Sequence, residues 1–302
     1  MKDPKTLVQD PPRGPVEPVQ LGLDDRIQFR CHKDIDCFNQ CCMDIDITLT
    51  PYDILRLSRR LDIPTSECLA LNAVAFEMDQ HGMPGYKLRT REDSPVCRFV
   101  TEEGCSVYED RPAACRYYAL GSMGLHRKDS AGVDDVYFLV KEPHCHGHRE
   151  PRTLTVREYR REQDVEVHDD LNREWRDIIL KKRSSGPAVG SPTERSFQLF
   201  HLASYDLDGF RRFVLSTNFR ETFDLEAETY TQLEEDDEAL LRFSARFLKQ
   251  VLFGEQTIPL REGVREQRME QRMERKRRRL EEGKEETEQP FDPRYDAPQE
   301  ED

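Results

Sequence analysis

Eight of the nine cysteines in this 302-residue chain fall into three islands: Cys31, Cys37, Cys41 and Cys42, then Cys97, Cys105 and Cys115, then Cys145. A chain carrying 60 acidic and 46 basic residues has little reason to use thiols as generic core filler. Grouped thiols are the donors that soft metal ions select. Whatever fold the chain adopts must therefore bring separated loops to a common place.

The spacing narrows the chemistry. The first island reads C-x5-C-x3-C-C and the second C-x7-C-x9-C, and neither contains the C-x2-C knuckle of common zinc sites. Adjacent residues normally point apart, so Cys41 and Cys42 are expected to serve two metals, or two corners of a multinuclear centre, rather than one zinc ion. Eight thiolates suffice for two four-thiolate sites or for one cluster with thiols left over. Reduced metal-free thiols and disulfides are the competing readings. The odd cysteine count and the absence of a secretory signal argue against disulfides. A cysteine nucleophile would need one thiol set apart from the rest, and none stands out.

Neighbouring polar residues are weighed in the same way. Cys68 shares a helical face with Leu71 and Ala75 and is read as a buried small hydrophobe, outside the metal set. His144, His146 and His148 surround Cys145 as a compact donor group, but Glu142 and Arg149 suit an exposed alternation equally, so only Cys145 is assigned there. Asp44, Asp46 and Asp53 flank the first island, and Asp53 has sufficient work as a helix-capping acid. Arg111 and Arg116 bracket Cys115. They either offset thiolate charge from beside the centre or form ordinary ion pairs with Glu109 and Asp110.

Apolar periodicity and turn residues predict an α+β chain: a small cysteine-rich metal-binding domain of short antiparallel strands and helices, followed by a mainly helical C-terminal region. Residues 1–26, rich in proline, read as a disordered leader. Residues 27–150 form the cysteine-cluster domain. Within it Thr50, Pro51 and Asp53 open a helix to Leu61, Thr65 caps a second helix to about Glu77, and short strands follow at Tyr86–Leu88, Val96–Val100, Cys105–Tyr108 and Val136–Val140. Residues 151–182 are a helical extension with Val156, Tyr159, Leu171, Trp175 and Ile179 as core positions, and 183–196 are a linker by composition. Residues 197–256 are helical, and 257–302 comprise a charged helix and a disordered acidic tail.

The net charge of −14 argues against a nucleic-acid binder, because phosphate backbones are attracted by basic surfaces. No stretch reaches the roughly 20 apolar residues of a membrane span, and no signal-peptide core precedes the islands. These features predict a soluble cytoplasmic protein with reduced thiols. Residues 259–284, with the basic run Arg275–Arg279, leave room for an unidentified protein partner.

At these residues the chain resembles the YkgJ family of cysteine-cluster proteins, described as having a zinc- or iron-chelating domain. The resemblance is carried by CHKDIDCFNQCC at 31–42, TLTPYDILRLSRRL at 48–61, CRFVTEEGCSVYEDRPAACRYYAL at 97–120 and HCHGH at 144–148. It implies a metal-binding role for the eight clustered cysteines. A related domain occurs in a flagellin lysine N-methylase, so three functions stand open. The first is a metal-binding protein holding an iron–sulfur cluster or zinc. The second is a metal-centre enzyme in protein methylation or redox chemistry, and the third a structural zinc scaffold for a partner. The chain departs from many relatives at Tyr117-Tyr118-Ala119, where they carry an aromatic followed by proline. No glycine-rich dinucleotide or methyl-donor loop is evident.

Overall fold

The computed structural model describes residues 16–79, 82–126, 133–184 and 193–264, with a few isolated positions up to 278. Most of the predicted leader, the linker core at 185–192 and the acidic tail lie outside the described residues, as does most of the charged helix. Contacts divide the chain into two units, one made of Met1–Thr48 with Leu88–Asp169 and the other of Leu49–Lys87 with Asp170–Asp302. In this division residues 49–87 group with the later helices, and 151–169 with the cysteines.

The cysteine-bearing unit is strand-rich. Val133–Val140 lies between Leu120–His126 and Val16–Leu21 in an antiparallel sheet. The strand at Val16–Leu21 corrects the predicted start of structure near Ile27. Its pairing shifts between Val16 and Gln20, which is where Pro18 falls, and a proline that donates no ladder hydrogen bond is tolerated at such an edge irregularity. Arg26–Gln28 pairs with Thr153–Thr155, setting Ile27 opposite Leu154. Both join a core with Phe29, Tyr117, Tyr137, Val156 and Tyr159, and Cys145 packs against it. Thr155 then caps the helix Val156–Glu162 through a reciprocal box with Glu158. Thr153–Thr155, near the start of the predicted 151–182 helical extension, is thus strand.

In the other unit, Thr50 and Asp53 form the predicted capping box of helix Pro51–Leu61, whose Ile54 and Leu57 are fully buried. The helix predicted from Thr65 to Glu77 ends at Asn72, and Ala73–Glu77 is a strand beside Pro84–Leu88. Its N-cap is Pro64, while the Thr65 hydroxyl donates to the Asp208 carboxylate at 2.8 Å. Cys68 is 0 % exposed in this helix, whereas Leu71 faces outward. The helices from Glu194–Ser204 to Asp237–Phe253 surround a phenylalanine core in which Phe247 contacts Phe210, Phe213, Phe219 and Phe223. Among the described residues no helix is long and apolar enough to cross a membrane.

Candidate metal centre

Backbone hydrogen bonds draw the three cysteine islands together. Phe29 N–H donates to Arg152 O at 3.0 Å and Arg30 N–H to Gly147 O at 3.1 Å, so the approach to Cys31 is tied to the loop that carries Cys145. Gly147 is required at that crossing, because a Cβ there would lie 2.6 Å from the Phe29 ring. Residues 35–39 turn back on themselves, and Asn39 adopts a left-handed conformation with φ 67°. Its side-chain amide donates to Thr101 O at 3.0 Å, which directs a single helical turn at Gln40–Cys42. Cys97 N–H then donates to Cys42 O at 2.8 Å, joining the second island to the first.

Cys105 is placed by a tight hairpin, Val100–Thr101 against Gly104–Cys105. Gly104 has φ 123°, and a Cβ there would come within 3.3 Å of the Phe38 ring, so both backbone and packing call for glycine. Cys115 lies in the short helix Ala113–Tyr117. Buried Arg116 pins that helix by donating to the carbonyl oxygens of Arg111, Glu109 and Gln163.

The result is a cavity of about 560 Å³ lined by Cys31, Cys37, Cys41, Cys42, Cys97, Cys105, Cys115 and Cys145. All eight predicted cysteines meet there, and Cys68 does not. The volume falls in the range of small-molecule sites and far exceeds what one or two bare ions need. Arg111, Tyr159, Glu162 and Gln163 also form part of the wall. The last three lie beyond the predicted domain end at residue 150.

One expectation about the thiols is overturned. Cys41 and Cys42 do not point apart, because their sulfurs are 4.0 Å from each other. Two thiolates on one tetrahedral zinc, with bonds near 2.3 Å, stand about 3.8 Å apart, so this pair has the span to share an ion. The tight turn at Gln40–Cys42 is the cause, since it abandons the alternation of an extended chain.

Electrostatics separate the thiols. The hydrogen bond between the two thiols draws Cys41 down to about 7, and the same contact pushes Cys42 up. Burial, reinforced by Cys41, Cys37 and Cys145, pushes Cys31 up to about 11. Cys31 and Cys41 are both accessible to water, but the water of a partly enclosed cavity solvates charge less well than bulk solvent. Burial also raises Cys97, Cys105 and Cys145, while Arg91, Arg111 and the Tyr118 hydroxyl respectively work against the rise. Arg111 meets neutral acceptors, donating to Tyr108 O and Gln163 Oε1 at 2.7 Å each and stacking on the Tyr108 ring. Its full charge beside Cys105 fits the role of offsetting thiolates.

The three histidines have different surroundings. His144 lines the cavity and faces Glu142 at 3.5 Å. His148 packs against Phe29 in a tilted ring pair, with centroids 5.1 Å apart, and contacts Val140 O at 2.9 Å, a packing role. His146 Nδ1 is 2.5 Å from Asp36 Oδ1, and its backbone N–H donates to Cys37 Sγ at 3.2 Å. The imidazole contact lowers the Asp36 carboxyl below its ordinary value. Among the described residues, Asp36, Cys37 and His146 are the trio whose donor atoms all come within 4.8 Å of one another. Sequence pattern marks the histidine cluster but gives no signal for Asp36. Asp44 and Asp46 do not line the cavity.

These features define a cysteine-lined cavity within one unit of the chain. Residues 30–146 match the CxxCxxCC family model, described as a putative zinc- or iron-chelating domain. The match takes in all eight clustered cysteines. No curated protein and no solved structure matches the chain.

Proposed function

We propose that this chain is a cytoplasmic metal-binding protein whose eight clustered cysteines hold an iron–sulfur cluster, with zinc as the alternative metal. The observation that carries the proposal is that these eight thiols, and not Cys68, line one cavity. The donor set fits: thiolate sulfur selects iron–sulfur clusters, zinc and copper(I) over oxygen-loving ions. A four-thiolate zinc site needs its sulfurs within about 3.8 Å of one another, and beyond the Cys41–Cys42 pair no trio of these sulfurs is so gathered among the described residues. A cluster, in which thiolates ligate different irons, accommodates wider separations. When bound, such a cluster supplies an electron-transfer or Lewis-acid centre.

The chain's own groups prepare the thiols for that role. The His146 amide donates to the Cys37 sulfur, and the Arg111 guanidinium stands beside Cys105. The guanidinium works against the rise that burial imposes on Cys105, and a metal requires the thiolate form.

A second reading, a redox or protein-modifying enzyme built on the same centre, is favoured by one feature. The cavity has room beyond the thiols, with an apolar wall including Phe29, Phe38 and Phe99.

Substitution tests the ligand assignment. Cys41→Ser and Cys115→Ser are expected to lower the metal content of the purified full-length chain, and Cys68→Ser to leave it unchanged. Equal metal content in the wild type and Cys115→Ser would remove Cys115 from the site.

A further inference from the structure

Asp36, Cys37 and His146 bring a carboxylate, a sulfur and an imidazole within 4.8 Å of one another. Cys37 lines the thiol cavity, whereas Asp36 and His146 do not. Their side chains face solvent instead, at 75 % and 31 % exposure. Cys37 therefore stands at a boundary, with the thiol cavity on one side and a mixed-donor group on the other.

We propose that this trio is a second, solvent-facing metal position for a borderline divalent cation such as zinc, iron(II) or cobalt(II). Three arguments support it. The carboxylate adds its negative charge to that of the Cys37 thiolate, which this position would share with the cavity centre, and the neutral imidazole is a ligand common to these metals. Three protein donors with water completing the shell is the pattern of open rather than closed metal sites. The donors are also held near one another before any ion arrives. The His146 amide orients the Cys37 sulfur at 3.2 Å, and the imidazole and carboxylate are already in contact at 2.5 Å.

The last contact also sets what binding must change. Two donors on a tetrahedral ion with bonds of 2.0–2.1 Å stand about 3.3 Å apart, so the histidine and aspartate must part by less than one ångström and give up their mutual hydrogen bond. Exposed side chains can make that movement without disturbing the core. Because water reaches the site, its ion exchanges with solvent faster than metal held inside the cavity.

The test uses cobalt(II) as probe on the full-length protein as isolated, with Asp36→Asn/His146→Gln as the variant. Equilibrium dialysis should show one added cobalt equivalent in the wild type, removable by brief chelator treatment, with a sulfur-to-cobalt charge-transfer band. The variant should lose that equivalent and that band while keeping its resident metal and far-ultraviolet circular dichroism. The inference is overturned by equal cobalt binding in the two proteins or by no added equivalent in the wild type. Loss of resident metal from the variant also overturns it, because the two residues would then belong to the cavity centre. An isolated protein without resident metal that still binds one cobalt, lost in the variant, would refute the proposed centre and leave this site standing.

Discussion

Replacing Asp169 by alanine should destabilise the cysteine-bearing unit by several kcal/mol. The Asp169 carboxylate accepts from Arg160 Nη2 at 2.6 Å and from the Tyr117 hydroxyl, with side-chain exposures of 11 % for Arg160 and 10 % for Asp169. Arg160 also stands over the Tyr137 ring at 5.3 Å. Removing the carboxylate leaves a guanidinium desolvated and opposite a hydroxyl with no acceptor, and breaking such a buried pair costs about 3–5 kcal/mol. At about 2–4 °C per kcal/mol for a domain of this order of size, the melting transition should fall by about 6–20 °C. Calorimetry and urea titration of the full-length chain measure both. Tyr117 ends the short helix that carries Cys115, so metal content should fall in parallel. The double variant Arg160→Met/Asp169→Leu should lose less than Asp169→Ala, because no charge is then stranded. A shift below about 1 kcal/mol for Asp169→Ala would refute the claim that this pair is a buried strut.

Two further outcomes are expected. In metal-free protein at pH 7, iodoacetamide should modify Cys41 before Cys31: with thiols near 7 and 11, about half of one and roughly one in ten thousand of the other is thiolate. The weaker nucleophilicity of the more acidic thiolate reduces the rate ratio to on the order of 100. Peptide mapping reads it, and equal rates would contradict the assigned electrostatics. Phe247→Ala should cost about 3–5 kcal/mol in denaturant titration, since it empties the centre of the phenylalanine core, and a loss under 1 kcal/mol would show that the core collapses around the gap.

The legible parts of the fold are those written in local chemistry. Thr50, Pro51 and Asp53 announce a helix start through side-chain and backbone groups within four residues, and the capping box forms as expected. The cysteine islands announce convergence because grouped thiols in a highly charged chain suit soft-metal ligation far better than core packing, and eight sulfurs line one cavity. The misread parts depend on distant partners. Ala73–Glu77 continues a helical pattern in sequence yet pairs as a strand with Pro84–Leu88. Leu120–His126, interrupted by Gly121 and Gly124, has weak strand propensity and is held by its register with Val133–Val140. Cys41 and Cys42 meet because a single helical turn replaces extended chain. Asp36 gives no local signal because its partner, His146, lies on a distant loop.

The most direct test of the central claim is the iron, zinc and acid-labile sulfide content of the full-length protein purified without oxygen, read together with its visible spectrum. Iron and sulfide are expected in comparable amounts, with broad visible absorption that is lost on Cys41→Ser or Cys115→Ser. Zinc without sulfide would replace the cluster by the alternative metal, and a folded, metal-free protein would contradict the claim that these eight cysteines exist to hold a metal centre.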